Sequence, residues 1–346
     1  MRRAVRLLDA IREPQVLARI SEGDWADLLD QADEARLLGR LLAEADRALD
    51  QAPASPALRD RMASARAFAR ECERAVAWEV RRLARAFFGS PFRWVLLKGG
   101  GYVAAGLPPA VGRRVADVDV LVPSEQLAAA AAVLEAHGWR QPELDPYDEK
   151  YYREWMHELP PMVHDGRGSI VDLHHAILPR TSRLHADSRV LIERAVPAGP
   201  GHVLCPTHMV IHAAVHLFHD GEISGAVRDL VDLDALLRHF TAHEADFWSR
   251  LTADARELNL ERPTFYALRY SHRLLGTPIP DVAVQALEAH APPAPVLALM
   301  DRLVARTLTS GDNGGKWAAS ALYVRSHWLR MPPGLLVRHL LRKAAR

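Results

Sequence analysis

The sequence is poor in cysteine. Only Cys72 and Cys205 occur in 346 residues, which excludes a disulfide framework and argues against a cysteine-rich zinc module. Net charge is scarce as well. Lys and Arg total 44 against 43 Asp and Glu, leaving +1, so no global field draws the chain to nucleic acid or an anionic membrane. No apolar run approaches the roughly 20 residues of a membrane span. The first residues, MRRAVRLLDAIREP, interleave charges with apolar side chains and contain no signal-peptide core. The expected location is therefore the cytoplasm. What is present is an ordinary soluble composition, 49% hydrophobic and 25% charged. The length suits two or three domains, or one core with helical extensions.

One stretch organises the rest: residues 94–122, WVLLKGGGYVAAGLPPAVGRRVADVDVLV. A short apolar run, Trp94 to Leu97, stops at Lys98-Gly99-Gly100-Gly101. A second run, Val115 to Val122, is interrupted only by Asp117 and Asp119. Alternation in a strand sends both carboxylates to one face and turns Ala116, Val118, Val120 and Val122 into a core. Two acids on one apolar strand are costly unless a cation binds there, and carboxylate oxygens suit a hard divalent ion. The glycines let backbone amides approach a ligand closely at a helix start, where phosphate oxygens are favoured, and Lys98 adds a point charge.

A third acid interrupts the later apolar run Ser169-Ile-Val-Asp172-Leu-His174-His-Ala-Ile177, with His174 on the same face as Asp172 and so placed to touch the nucleotide. The order Leu97-Lys98-Gly99-Gly100, Arg113-Arg114, Asp117-Val118-Asp119 resembles the polymerase-beta-like nucleotidyltransferase superfamily. More narrowly, it resembles the uncharacterised bacterial nucleotidyltransferases related to abortive-infection toxins. That resemblance implies an α+β fold, a nucleotidyltransferase-type small mixed sheet flanked by N- and C-terminal helical regions. It implies catalytic, metal-holding carboxylates at Asp117, Asp119 and Asp172, with Mg2+ (or Mn2+) as cofactor. It implies an NTP substrate whose phosphates meet Lys98, Gly99, Gly100 and Gly101, with Arg113 or Arg114 offsetting their charge. The implied reaction moves an NMP to an acceptor, with pyrophosphate leaving. The acceptor stays open among a protein, a peptide, tRNA or another RNA, and a small molecule such as an antibiotic or a sugar, as does the oligomeric state. Two departures stand out: the gap from Gly100 to Asp117 is longer than in antibiotic-modifying members, and the glycine run lacks the Ser of many relatives.

Three regions are expected: an N-terminal helical region over 1–90, the core over 91–200 and a C-terminal helical region over 201–346. In the first, Asp24 is the expected N-cap of a helix, and a long Ala/Arg/Glu-rich helix runs from about Pro56 to Phe88. After the Asp-x-Asp strand, Ser124 is the expected N-cap of a helix that stops at His137-Gly138-Trp139. Residues 141–168 read as a loop or hairpin in which Tyr147, Tyr151, Tyr152, Arg153 and Trp155 lie close together; base stacking by one of them competes with plain packing.

Beyond Pro200 the chain reads as helical. His208, His212, His216 and His219 form one stripe on a helix that begins at Pro206-Thr207. Spacing of i and i+4 suits a metal, but no Glu lies between them as in H-E-x-x-H and no nearby Cys or carboxylate completes a ligand set. A cleft-facing polar stripe is the favoured reading, with His212 and His216 near the nucleotide; core histidines and a solvated face are the others. Arg228 is expected to pair with Asp232 at i,i+4 and is a secondary candidate for phosphate or base contact. Further helices are expected over Val282–Ala291 and Ala294–Thr307, with a flexible turn at Gly311–Gly315 and a basic amphipathic helix at Pro332–Arg346. Two other function classes compete with the transferase: a non-catalytic nucleotide-binding regulatory or scaffold protein, and a metal-dependent hydrolase marked by the histidines.

Overall fold

A computed structural model describes residues 6–48, 55–220, 226–309 and 313–336. Among the described residues four α-helices come first: α1 (Leu7–Arg12), α2 (Glu22–Glu34), α3 (Leu38–Ala48) and α4 (Pro56–Ala86). The cap of α2 differs from the sequence expectation. Ser21 is the N-cap, its Oγ accepting from the Asp24 amide at 3.2 Å while the Asp24 carboxylate accepts from the Ser21 amide at 3.2 Å. Asp24 is thus the reciprocal member of a capping box, three residues inside. Pro56 opens α4 where its missing N–H does no harm. Its buried stripe, Leu58, Met62, Val76, Val80 and Leu83, packs on the common core.

Among the described residues seven short strands form one mixed sheet: β1 (Val95–Leu96), β2 (Asp117–Leu121), β3 (Trp139–Arg140), β4 (Met162–His164), β5 (Ile170–His174), β6 (Val196–Ala198) and β7 (Gly201–Val203). Their spatial order is β3-β4-β5-β2-β1-β7-β6. The centre is β2, antiparallel to β1 and parallel to β5. Pro197 lies in edge strand β6, where a missing donor is tolerated. The expected alternation on β2 holds for Val118 and Val120, both buried, and for Val122 just beyond it. Ala116 departs from it: the strand begins one residue later and Ala116 is exposed.

Between the strands lie α5 (Lys98–Ala104), α6 (Leu127–Ala136), α7 (Pro146–Glu154) and α8 (Ser188–Glu193). Ser124 does not cap α6. It starts a 3-10 turn, Ser124–Gln126, and its hydroxyl meets Glu125 instead. The segment read as a loop or hairpin contains helix α7 and, in β4, one arm of a hairpin with β5. Tyr151 packs edge-on against Tyr152 and Trp155, at 5.6 and 5.8 Å between ring centroids, so these rings hold one another. The side chains of Tyr147 and Arg153 lie outside the description.

The C-terminal part is helical: α9 (Pro206–Val215), which passes into a π-helical turn at His216–Asp220, then α10 (Val227–His243), α11 (Phe247–Glu257), α12 (Glu261–Leu275), α13 (Asp281–Glu288), α14 (Ala294–Thr309) and α15 (Asn313–Arg330). Gly276 closes α12 with φ +65°, a left-handed C-cap that suits glycine. Buried side chains from Leu7 to Leu322 join one hydrophobic cluster that holds both the sheet and the helices. The arrangement is the expected α+β one, a mixed sheet flanked by helical regions. Of the expected turn at Gly311–Gly315, residues 311 and 312 lie outside the described residues and Asn313 opens α15; residues 337–346 of the expected basic tail helix lie outside them too. No helix among the described residues is long and apolar enough to cross a membrane.

Candidate active site

The acids meet because of register. In the parallel pair β2–β5, Asp119 is the direct partner of Asp172, and Asp117 is the partner of Ile170. Paired residues of neighbouring strands share a face, and Asp117 lies two residues before Asp119 on that face. All three carboxylates line a cleft of about 280 Å³, together with Lys98, Gly99, Arg113, Arg114, Glu158, His216 and Arg228. Cations and carboxylates thus share one small cavity.

Asp119 is the buried member. Burial alone would raise its pKa, but Lys98 Nζ at 3.6 Å and His174 Nε2 at 3.0 Å hold it well below the usual carboxylate range. Asp172 goes the other way. Burial and the neighbouring charges of Asp119, Glu158 and Asp117 push it up to about 7. Its Oδ1 is buried without a hydrogen-bond partner. Three carboxylates, one of them with an orphaned oxygen, form the donor set that a divalent ion such as Mg2+ or Mn2+ requires, so the residues present fit the implied metal. The arrangement has the chemistry of a cation-binding site; as a purely structural cluster it would be unfavourable.

Lys98 sits at φ +39°, a left-handed conformation rare outside glycine. Burial works to lower its pKa, yet Asp119, Glu158, Asp229 and Asp117 raise it. The three glycines behind it occupy the first turn of α5. Gly99 lines the cleft, while Gly100 and Gly101 lie against the sheet. A Cβ on Gly101 would stand 2.8 Å from the Leu96 carbonyl oxygen, and one on Gly100 would stand 3.1 Å from Val118 Cγ1. Part of the glycine requirement is therefore close helix–strand packing. The amides of the first turn, at Lys98, Gly99 and Gly100, precede the first helical acceptor and point out of the N-terminus.

The arginines differ in what holds them. Arg113 makes a short, buried ion pair with Asp232 of α10 and lies over the Tyr102 ring, 5.4 Å from its centroid. Burial pushes the Tyr102 hydroxyl up to about 12. The expected Arg228–Asp232 pair is thus overturned: Asp232 serves Arg113, and Arg228 pairs with its neighbour Asp229 at 3.2 Å. On the i,i+4 face Asp232 is buried and turned to the loop before β2. Arg114 reaches Asp33 at 3.0 Å and lies over Phe68, 4.8 Å from the ring centroid, at the rim.

The histidine stripe divides. His216 lines the cleft and bonds Asp229, with Nδ1 at 3.3 Å from Oδ2. Burial, then Lys98 and His216, keep buried His212 well below the ordinary imidazole pKa. His219 meets the Ser182 hydroxyl at 2.8 Å, a core contact. His208 is completely buried.

Three participants escape sequence reasoning. Glu158, in the segment after α7, lines the cleft and lies 3.3 Å from His174 Nε2. The His157 ring lies tilted against that of His174, 5.3 Å between centroids, and the donor atoms of His157, Glu158 and His174 lie close enough together to hold a metal ion. Asp229, held low by His216, Arg228 and Arg113 against the opposing effect of burial, organises the cationic side. No strand pattern or spacing marks the first two. Asp229 follows Arg228 at the start of α10, and no spacing sets it apart from an ordinary helix-start acid.

No curated protein and no solved structure gives a significant match to the chain. A family model described as uncharacterised nucleotidyltransferase matches residues 21–276, well over half of the 346. That span includes the helices from α2 to α12, the whole sheet and every residue of the cleft described above. The chain therefore belongs to this family of uncharacterised nucleotidyltransferases.

Proposed function

We propose that the cleft binds an NTP together with Mg2+ or Mn2+ and transfers its NMP to an acceptor, releasing pyrophosphate. The observation that carries this reading is the in-register pair Asp119–Asp172 beside Asp117, with the Asp172 Oδ1 unpartnered. Asp117, Asp119 and Asp172 would hold the metal, which when bound supplies positive charge to the phosphate oxygens. Lys98 and the first-turn amides of α5, Gly99 foremost, receive the anionic phosphates. Arg113, Arg114 and Arg228 line the same cavity and offset charge that builds on the leaving pyrophosphate.

The acceptor oxygen or nitrogen attacks the α-phosphorus, a new P–O or P–N bond forms, and the bond to the β-phosphate oxygen breaks. The proton lost by the acceptor passes to the Asp172 carboxylate, the one with an unpartnered oxygen in the cleft. His174 orients Asp119 by its hydrogen bond and is itself steadied by Glu158. The acceptor is a protein, peptide, RNA or small molecule.

The test is calorimetric titration of each of the four NTPs with Mg2+ into the wild type and the variant Asp117→Ala/Asp119→Ala. Metal-dependent binding of one NTP, abolished in the variant, is the expected result. Absence of binding by the wild type with either Mg2+ or Mn2+ overturns the reading and favours a scaffold role.

A further inference from the structure

Outside the cleft, a second set of metal-type donors gathers where β7 leads into α9. Cys205 is the N-cap residue of α9, and His208 lies three residues on, in the first turn. Asp254 comes from α11. The Cys205-Pro-Thr-His208 spacing is local in sequence, whereas Asp254 comes from a distant segment that no local pattern links to it. The Cys205 Sγ, a His208 ring nitrogen and an Asp254 carboxylate oxygen all lie within 4.8 Å of one another.

His208 supplies the independent observation. It is 0% exposed, and neither Nδ1 nor Nε2 has a hydrogen-bond partner. A buried imidazole normally satisfies at least one nitrogen, because an unpaired polar group away from water is unfavourable. Its Nε2 stands 3.8 Å from Asp254 Oδ2, too long for a hydrogen bond. Two donors of one ion bound at about 2 Å each are separated by a distance of this order.

We propose that Cys205, His208 and Asp254 form a site for a zinc-class divalent cation that ties the start of α9 to α11. Thiolate, imidazole and carboxylate together select a borderline-soft ion such as Zn2+ over the hard Mg2+ of the carboxylate cleft. The outer contacts fit as well. Thr207 Oγ1 donates to Asp254 Oδ2, and Arg194 Nη1 lies 3.2 Å from Asp254 Oδ1, so the carboxylate is already oriented. Asp254 is partly exposed, which leaves a fourth position to solvent. One turn further along α9, His212 lies under the influence of Lys98 and Asp119. The ion thus braces the helix that backs the cleft without joining the reaction. It does not depend on the transferase reading.

The test uses the full-length protein, stripped of metal with a chelator and titrated with Co2+ and with Zn2+. Expected are one equivalent of Co2+ with a thiolate-to-cobalt charge-transfer band, displacement by Zn2+, and a raised Tm with Zn2+. The band disappears in Cys205→Ser and His208→Asn, persists in Cys72→Ser, and persists in Asp117→Ala/Asp119→Ala. Thr207→Val, which removes only the orienting hydrogen bond, weakens Zn2+ binding about 10–100-fold. A wild type that binds no Co2+ through sulfur overturns the proposal, and needs no variant to do so. A band that survives Cys205→Ser or is lost in Cys72→Ser also overturns it. Loss of the band in Asp117→Ala/Asp119→Ala overturns it too, since the cleft holds no cysteine and the site would then not stand on Cys205, His208 and Asp254.

Discussion

Asp119 and Asp172 face each other across a parallel strand pair, yet their pKa values are driven in opposite directions. Lys98 and His174 both belong to Asp119, while Asp172 receives burial and like charge. Two carboxyls at one register position therefore have different protonation states near neutrality. That split separates a permanent anion from a group able to take up and give up a proton.

Metal binding should expel the proton from Asp172. With its carboxyl at about 7, the group is largely protonated at pH 6 and largely ionised at pH 8. Mg2+ titrated into the protein alone should release close to one proton per ion at pH 6 and little at pH 8, read by calorimetry in buffers of different ionisation enthalpy. Asp172→Asn should abolish the buffer dependence. Equal proton release at both pH values would show that Asp172 is not the titrating group.

The ion pair Arg113–Asp232 should be worth more when broken than when replaced. Both side chains are more than nine-tenths buried, so removing one partner strands a charge and costs about 3–5 kcal/mol. Urea unfolding of Arg113→Met and of Asp232→Leu should show losses of that order, and the double variant should recover much of the difference. If the double variant folds but no longer binds NTP, the guanidinium has a role in the cleft beyond holding α10.

The legibility of this chain follows the range of its interactions. Asp117, Asp119 and Asp172 stand out because each is an acid inside an apolar strand, a conflict visible within a few residues. The helix from Pro56 was legible from composition and its prolines, and ends within two residues of the expected Phe88. Pairings between distant segments were not legible. Arg113 meets Asp232 across 119 positions and Thr207 meets Asp254 across 47, and no local period encodes either. Glu158 enters the cleft from an irregular segment, while helix α7, rich in Tyr and charge, lacks an apolar stripe. The cap of α2 was misplaced because Ser21 and Asp24 are both good capping residues, and only the reciprocal bonds decide between them.

Gly101 should tolerate no side chain. A Cβ there would press on the Leu96 carbonyl oxygen of β1 at 2.8 Å, and backbone in the sheet yields little. Gly101→Ala should lower stability by about 1–3 kcal/mol in urea unfolding. Gly23→Ala is the control. It lies in α2, where the nearest atom to a new Cβ is Ser21 Oγ at 3.9 Å, and it should be neutral or stabilising by up to about 1 kcal/mol. Equal effects of the two changes would refute the close-packing role of the run.

His174 should make stability depend on pH in a defined direction. Burial lowers its pKa, but the hydrogen bond to Asp119 and the charge of Glu158 prevail and raise it above 6.5. A group whose folded pKa is raised binds more protons in the native state. Its contribution is therefore complete below about pH 6.5 and declines as pH rises through the folded value. Asp172 acts in the same direction from a lower start, losing stability between about pH 4 and 7, since its unfolded carboxyl ionises first. Asp119 acts oppositely: its depressed pKa supplies stability above about pH 4 that is lost only on acidification. Unfolding free energies of the wild type should thus fall between pH 6.5 and 8. His174→Gln, which keeps a donor toward Asp119 but cannot titrate, should flatten the upper part of that fall while lowering stability at pH 6. Asp172→Asn should remove the part below pH 7. A His174→Gln profile parallel to the wild type across this range would mean that the imidazole is neutral in the native protein and donates to Asp119 without carrying charge.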